Sequence, residues 1–260
     1  MQGIYRDENT LVKLLNFAGH EITDQAWYGI DSATLESNRK YNMAGEFYDE
    51  EGNSLYYKDQ VDNYKQDHYQ LHWNQNYLGG WTSNFGLHYT YGRGFYENYN
   101  VGYDSPDYID RRWLDNDFYV LNSSINYIKD KIDLTLSSSY SSYVGDHYGE
   151  VIWARSLSNS GEIRDRYYEG LGEKKDLSFF AKLLYSINKK TELYTDIQLR
   201  GVKYNTSGIT SDLINMVLDK SYNFFNPKIG LSYKLNSSSL IYASYARAVS
   251  YTHLTLPTKA

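Results

Sequence analysis

The chain has no cysteine among its 260 residues and only 3 prolines. Without cysteine there is neither a disulfide framework nor thiol chemistry. Long apolar runs are missing as well. Mean hydropathy is −0.65, and no stretch approaches the ~18 apolar residues of a membrane helix. That excludes helical spans but not a transmembrane barrel, in which only alternate residues meet lipid. Basic charge is short: 26 Lys and Arg against 32 Asp and Glu leave a formal charge of −6. Both signs are scattered, so no basic face is available for nucleic acid. The first residues, MQGIYRDENTLVKLL, lack the basic region, apolar core and cleavage site of a signal peptide. If the protein is exported, Met1 is expected to be an internal residue.

What the chain has in excess is tyrosine, 30 residues of it. Tyrosine favours strands and membrane–water interfaces. The clearest pattern runs from Asp117 to Tyr143. Tyr119, Leu121, Ile125 and Tyr127 fall on one face, with Asn122, Ser124 and Asn126 on the other. After Lys129-Asp130 the pattern resumes, with Ile132, Leu134, Leu136 and Tyr140 against Asp133, Thr135, Ser137 and Ser139. A side-chain period of two marks β-strands, and the short break between the runs predicts a tight antiparallel hairpin.

The same alternation predicts strands over Leu11–Thr23, Tyr64–Tyr77, Trp81–Phe95, Asp176–Ile187, Thr191–Lys203, Phe225–Leu235 and Leu240–Arg247. With the hairpin that makes about nine strands. Tight turns are expected near positions 79, 130, 189 and 237. Long polar loops are expected over 27–63, 97–112, 145–175 and 205–221. A helical turn is expected within the DSATLESNRKYN section of the first loop, and a small buried helical turn at LINMVL in the last. Short turns alternating with long loops place all the long loops at one end of the sheet. Structureless loops of that length are unusual in compact soluble domains, whereas outer-membrane barrels combine short turns at one end with long loops at the other. The expected fold class is therefore all-β: a transmembrane antiparallel up-and-down β-barrel, present here incompletely, because an open edge in lipid would leave backbone groups unpaired.

Several stretches resemble the TonB-dependent outer-membrane receptors of Gram-negative bacteria. They are LHYTYGRGFYENY (Leu87 to Tyr99), NFFNPKIGLSYKL (Asn223 to Leu235), IYASYARAV (Ile241 to Val249) and the early pair LLNFAGHEITDQAWYGI and LESNRKYN. The resemblance implies a 22-stranded barrel closed by a plug, of which residues 1–249 are the partial barrel. It implies placement in the outer membrane, with outer-membrane lipid around the wall. It also implies coupling to the TonB complex through a plug and TonB box that this chain does not carry, and a small-molecule chelate as cargo: a ferric siderophore, haem or a cobalamin complex. A TonB-dependent oligosaccharide receptor and a passive porin-like channel are the alternatives. The last stretch, residues 250–260 (SYTHLTLPTKA), is similar to a translated sequencing adapter and is expected to be a non-native tail.

Two sets of residues are candidates for chemistry. His68 and His72 share a strand face. A three-residue turn pairing Leu78 with Thr82 would set His72 opposite His88, within cross-strand reach. Imidazoles so placed could ligate a divalent metal, or simply hydrogen-bond other lumen groups. The loop aromatics Trp27, Tyr96, Tyr99, Trp113, Trp153, Tyr167 and Tyr168 could grip a cargo, or serve as interface anchors and loop packing. Asp133, Asp196, Arg200, Lys182, Lys228 and Lys234 are expected to form a polar lumen wall. The acids of the first loop could attract calcium, but their spacing matches no tight motif. No nucleophile, base and orienting group fall together, so catalysis is not expected, and nothing calls for a cofactor.

Overall fold

The computed structural model describes residues 1–102, 106–156 and 162–247. The expected tail at 250–260 and Val249 lie outside the described residues. The strands are β1 (Gln2–Arg6), β2 (Thr10–Asp24), β3 (Glu46–Tyr48), β4 (Ser54–Tyr56), β5 (Val61–Asn76), β6 (Trp81–Asn100), β7 (Tyr108–Lys129), β8 (Ile132–Ala154), β9 (Arg166–Ser186), β10 (Thr191–Ile209), β11 (Asn215–Lys234) and β12 (Leu240–Ala246), with one short helix α1 (Ser32–Ser37). Ten of them form one antiparallel meander, in the order β1-β2-β5-β6-β7-β8-β9-β10-β11-β12, and β3 pairs with β4 inside the β2–β5 connection. The sheet is open, with β1 and β12 at its edges.

The register puts the apolar positions of neighbouring strands side by side. One row runs Leu14, Leu71, Leu87, Leu121 and Tyr140, each opposite the next, and reaches Leu177. A parallel row joins Leu136, Ala181, Ile197 and Pro227. These rows form a continuous apolar band on one face. Its upper margin is a ladder of stacked tyrosines, Tyr69 on Tyr89 at 6.0 Å and Tyr89 on Tyr119 at 4.7 Å. The opposite face is joined by polar rungs. Asn74 donates to Asn84 (2.5 Å), Asn84 to Ser124 (3.1 Å), and Asn226 to Gln198 (3.0 Å), which in turn donates to Ser178 (3.2 Å). Arg200 is paired with Asp176. An apolar outer band over a polar inner wall is the cross-section of a membrane barrel.

The turns at one end are built on local polar chemistry. Asp7 accepts from the N–H groups of Asn9 and Thr10, Asn188 from those of Lys190 and Thr191, and Asn236 from that of Ser238. Asp and Asn favour turns because their side chains can bond backbone two residues on. Between β7 and β8 the turn residues are Asp130 and Lys131, one position later than the sequence suggests, and Asp130 takes φ 51°. Gly80 has φ 90°, and a Cβ there would collide with the Ile128 carbonyl, so only glycine fits.

The other end corrects the sequence reading. β7 is 22 residues long and β8 is 23, against the ~9–11 a tilted strand needs to cross the bilayer. The loops expected at 97–112, 145–175 and 205–221 are mostly strand: β6 runs on to Asn100 and β7 begins at Tyr108, β8 runs on to Ala154 and β9 begins at Arg166, and only 210–214 part β10 from β11. Past the membrane there is no lipid to face, so the apolar alternation fades while backbone pairing continues. LINMVL is neither helical nor buried. Leu213 and Ile214 sit in the β10–β11 turn, and Val217 is 79% exposed on β11. The expected helical turn in the first loop is α1, capped by Asp31, which accepts from Thr34 N at 2.8 Å. β1 escaped notice because five residues carry too short a pattern.

Candidate functional site

The strand extensions beyond the tyrosine ladder enclose a recess of about 570 Å³ on the polar, inner face. Asp62, Tyr64, Tyr96, Arg112, His147 and Tyr168 line it, drawn from β5 through β9. Two glycine–tyrosine pairs shape its floor. Tyr64 is in register with Gly94, and its ring lies across Gly94 and Gly92. Its hydroxyl accepts from Asn116 Nδ2 at 3.0 Å. Tyr168 is in register with Gly149 and covers it in the same way. A bulge follows, where Gly149 faces Tyr168 but Glu150 faces Arg166. The extra residue, Tyr167, is thereby turned to the same side as Tyr168. Glycine inside a strand marks such close approaches.

Arg112 is the cation of the recess. Its Nε donates to Asp110 Oδ2 at 2.7 Å, and its guanidinium lies 5.8 Å from the Tyr96 ring centroid. Asp110 is only 1% exposed and also accepts from Asn100 Nδ2 (2.7 Å) and Tyr167 Oη (2.8 Å). Burial works against the charge on Arg112, but the bonded Asp110 carboxylate outweighs it, and the guanidinium pKa is raised. Burial pushes the Tyr168 phenol up to about 12 and lowers the His147 imidazole. The recess therefore offers the Tyr168 phenol and the held Arg112 cation, with Glu21 and Asp62 at its edge.

The seven aromatics singled out from sequence divide between the two faces. Only Trp27 is in a loop. It meets Tyr96 edge-on at 4.9 Å, beside the recess. Tyr96, Tyr167 and Tyr168 stand on strands and face the same side. Tyr99, Trp113 and Trp153 are on the opposite, outer surface. There Tyr99 stacks on Phe47 of β3 at 4.4 Å, Trp113 donates to Glu150 at 2.5 Å, and Trp153 lies 6.2 Å from Tyr99. Arg111 joins them, paired with Glu97 and lying 4.1 Å from the Phe95 ring centroid. Tyr57 and Gln25 also bond Glu97, at 2.5 Å and 2.7 Å. That cluster fastens the long β2–β5 connection to the wall. Sequence reasoning missed Tyr64, Arg112 and His147. The available signal was the G-x-G of Gly92 and Gly94 within a strand.

The histidines also need a correction. Asn76 pairs with Thr82, so the register is two residues from that expected: His72 faces Gly86 and His88 faces Gln70. His68 Nδ1 lies 3.3 Å from His88 Nε2, while His72 bonds Gln70 at 3.0 Å. Among the described residues no group of three or more His, Cys, Asp or Glu is placed to hold a metal. No long apolar helix is found among them either, which says nothing against crossing by strands.

The family model described as "TonB dependent receptor-like, beta-barrel" matches residues 13–253. The chain belongs to this TonB-dependent receptor family. Its strands are thus part of an outer-membrane β-barrel, the apolar band faces lipid, and the polar face with its recess lines the lumen. No curated protein sequence matches the chain. Solved structures match in fold. They include the unliganded ferric citrate transporter FecA (TM-score 0.62, 12% identity, 94% of this chain and 34% of that one). The ferric yersiniabactin uptake receptor FyuA from Yersinia pestis matches at TM-score 0.61 and 10% identity, over 92% of this chain and 34% of that one. The ferric-catecholate import receptor Fiu from E. coli, in its open form, matches at 0.56 and 13%, over 91% and 44%. The chain spans less than half the length of these receptors.

Proposed function

We propose that this chain supplies part of the wall of a receptor for TonB-driven uptake of a scarce nutrient, with a ferric siderophore or a chelate of similar size as cargo. The observation that carries the reading is the lumen-side recess at the outer end of the strands. Its volume lies within the ~300–1,000 Å³ range of small-molecule sites. Trp27, Tyr96 and Tyr168 offer flat faces, Tyr64 and Tyr168 offer phenol hydroxyls, and Arg112 offers a held cation for the oxygens of a chelate. Tyr99, Trp113 and Trp153 stand instead on the opposite, outer surface, where Tyr99 stacks on Phe47 of the long β2–β5 connection. The structures of similar fold include ferric citrate, ferric yersiniabactin and ferric-catecholate receptors, which supports the cargo class.

The test is uptake of radiolabelled iron by cells carrying the full-length receptor, with and without TonB, alongside direct binding of ferric chelates. Uptake that persists without TonB refutes the energised reading. Arg112→Ala is expected to weaken binding by roughly 10- to 100-fold, the equivalent of a lost charge-assisted hydrogen bond of ~1.5–3 kcal/mol. Asn122→Ala, on the same face but inside the membrane band, should change it little. Equal effects from both variants would remove the recess from the binding site.

A further inference from the structure

The inner wall carries a second constellation, one step outward of the Tyr69–Tyr89 rung and separate from the recess. His68 Nδ1, His88 Nε2 and Thr90 Oγ1 form a closed triangle with edges of 3.3, 3.0 and 2.9 Å. Thr90 is 6% exposed. The His68 ring is held from its other side by Phe17, stacked at 4.6 Å. The ring centroids of the two histidines are 5.6 Å apart, so the two nitrogens point at one another. Imidazole nitrogens so placed can hold each other only through one shared proton. Thr90 has one proton to give and must accept on its remaining edge. All three atoms can direct lone pairs to one point, and a cation there satisfies them together.

We propose that His68, His88 and Thr90 form a lumen-facing site for one divalent first-row transition ion, with the two imidazole nitrogens as principal ligands. Bonds of ~2.0–2.1 Å at a tetrahedral centre place two ligand nitrogens about 3.3–3.4 Å apart, which is the separation found here. Because the two nitrogens face each other, convergence on a centre ~2.0–2.1 Å away turns each lone pair by roughly 35°, a rotation taken up at χ2, a broad torsion for histidine. Imidazole ligands suit zinc, copper and nickel rather than magnesium or calcium. The hydroxyl of Thr90 takes a third, weaker position, and the lumen side stays open to water. His72 is not a ligand, because its register partner is Gly86 and its Nε2 is bonded to Gln70. The site does not depend on which cargo the recess takes.

The experiment is copper(II) titration of the full-length receptor, purified in detergent and stripped with chelator, read by electron paramagnetic resonance and by equilibrium dialysis. The wild type is expected to bind a copper ion with superhyperfine coupling to two imidazole nitrogens. His68→Ala and His88→Ala should each lower that affinity at least tenfold and leave coupling to a single nitrogen. His72→Ala should retain both nitrogens and the affinity within about twofold. Should either alanine variant fail to assemble, His68→Gln and His88→Gln keep a polar group beside Thr90 and give the same readout. Copper bound without imidazole coupling, affinity unchanged in the His68 and His88 variants, or equal loss in His72→Ala would each overturn the site.

Discussion

Gly92→Ala is the sharpest probe of how the recess is built. The backbone there is extended, so the substitution meets no φ penalty and acts by volume alone. A Cβ at position 92 would run into Tyr64 Oη, and would lie 3.0 Å from Tyr64 Cζ and 2.9 Å from Asn116 Oδ1. Every obstacle is a side-chain end, so relief requires the Tyr64 ring to leave its place and give up the Asn116 hydrogen bond. Overpacking costs ~1–3 kcal/mol, and the lost hydrogen bond adds ~1 kcal/mol. The smaller entropy of an unfolded chain with alanine returns ~0.4–1 kcal/mol. The expected net loss is about 1–3 kcal/mol. In a Tyr64→Ala background only the Asn116 amide, the end of a side chain released from its Tyr64 bond, remains near that Cβ, and Gly92→Ala should become neutral or slightly stabilising. The coupling in the double-mutant cycle should therefore be about 1–3 kcal/mol. Gly94→Ala differs in kind. Its Cβ would meet the Asn63 carbonyl and come within 2.8 Å of Tyr64 Cα, so removing the Tyr64 ring should rescue it only in part. Gly19, with nothing within 4 Å, is the control. Urea unfolding of the receptor in detergent, followed by the mobility shift of the folded barrel, measures all of these. Equal cost for Gly92→Ala in both backgrounds would refute the packing argument.

Two further outcomes follow from the faces and the charges. Leu121→Arg, on the apolar band just below its tyrosine margin, should destabilise the folded barrel by ~1–2 kcal/mol, between the interfacial and midplane costs of an arginine. Asn122→Arg, one residue on and facing the lumen, should stay within ~0.5 kcal/mol, and reversal of that order in urea unfolding would invert the assignment of the faces. Asp107 is held below the usual carboxylate range, first by the Arg155 side chain and then by the Gly102 N–H and Tyr99. A depressed folded pKa means that this contribution is complete above the unfolded value of ~3.9 and is lost as pH falls through the lower folded value. Acid unfolding curves of wild type and Asp107→Asn should therefore diverge above about pH 4 and converge below it, and curves that run parallel throughout would exclude this linkage.

The membrane band was legible in the sequence because lipid imposes a strict rule on alternate residues. Leu121, Ile125, Leu134 and Leu136 announce their face without help. The turns were legible because Asp, Asn and Gly carry the backbone chemistry themselves. The strand extensions were not. Tyr148, Trp113 and Phe95 form a cross-strand row on the outer surface, but their neighbours Glu150, Arg111 and Glu97 share that face, so polarity gives no period. The histidine register failed by two residues for a related reason. A shift of two keeps every side chain on its own face, so the hydrophobic pattern cannot detect it, and only the hydrogen bond from Tyr77 N to Trp81 O closes the turn as it is. The aromatics at 96, 99, 113, 153, 167 and 168 were found as a set. Their division between lumen and outer surface depends on strand parity and on the bulge at Gly149, neither of which is visible where the alternation has faded.

A single curved sheet has no second layer, and within the band its side chains meet lipid on one face and the lumen on the other. The wall there is held by backbone ladders, the surrounding lipid and polar rungs such as Asn74, Asn84 and Ser124. The buried charged side chains among the described residues, Glu97, Asp110 and Glu150, all lie beyond the band. Each is answered by a named donor: Arg111 and Tyr57, Arg112 and Tyr167, and Trp113. A buried carboxylate is tolerated only when it is paired, so these pairs fix side-chain positions where no apolar core can do so. Asp110 thereby sets the direction of Arg112, and the glycine pairs set the lie of Tyr64 and Tyr168. Arg112→Ala alone leaves the Asp110 carboxylate buried with only Asn100 and Tyr167 as donors, so its effect on binding is read beside that of Arg112→Ala/Asp110→Asn, which removes the charge pair together.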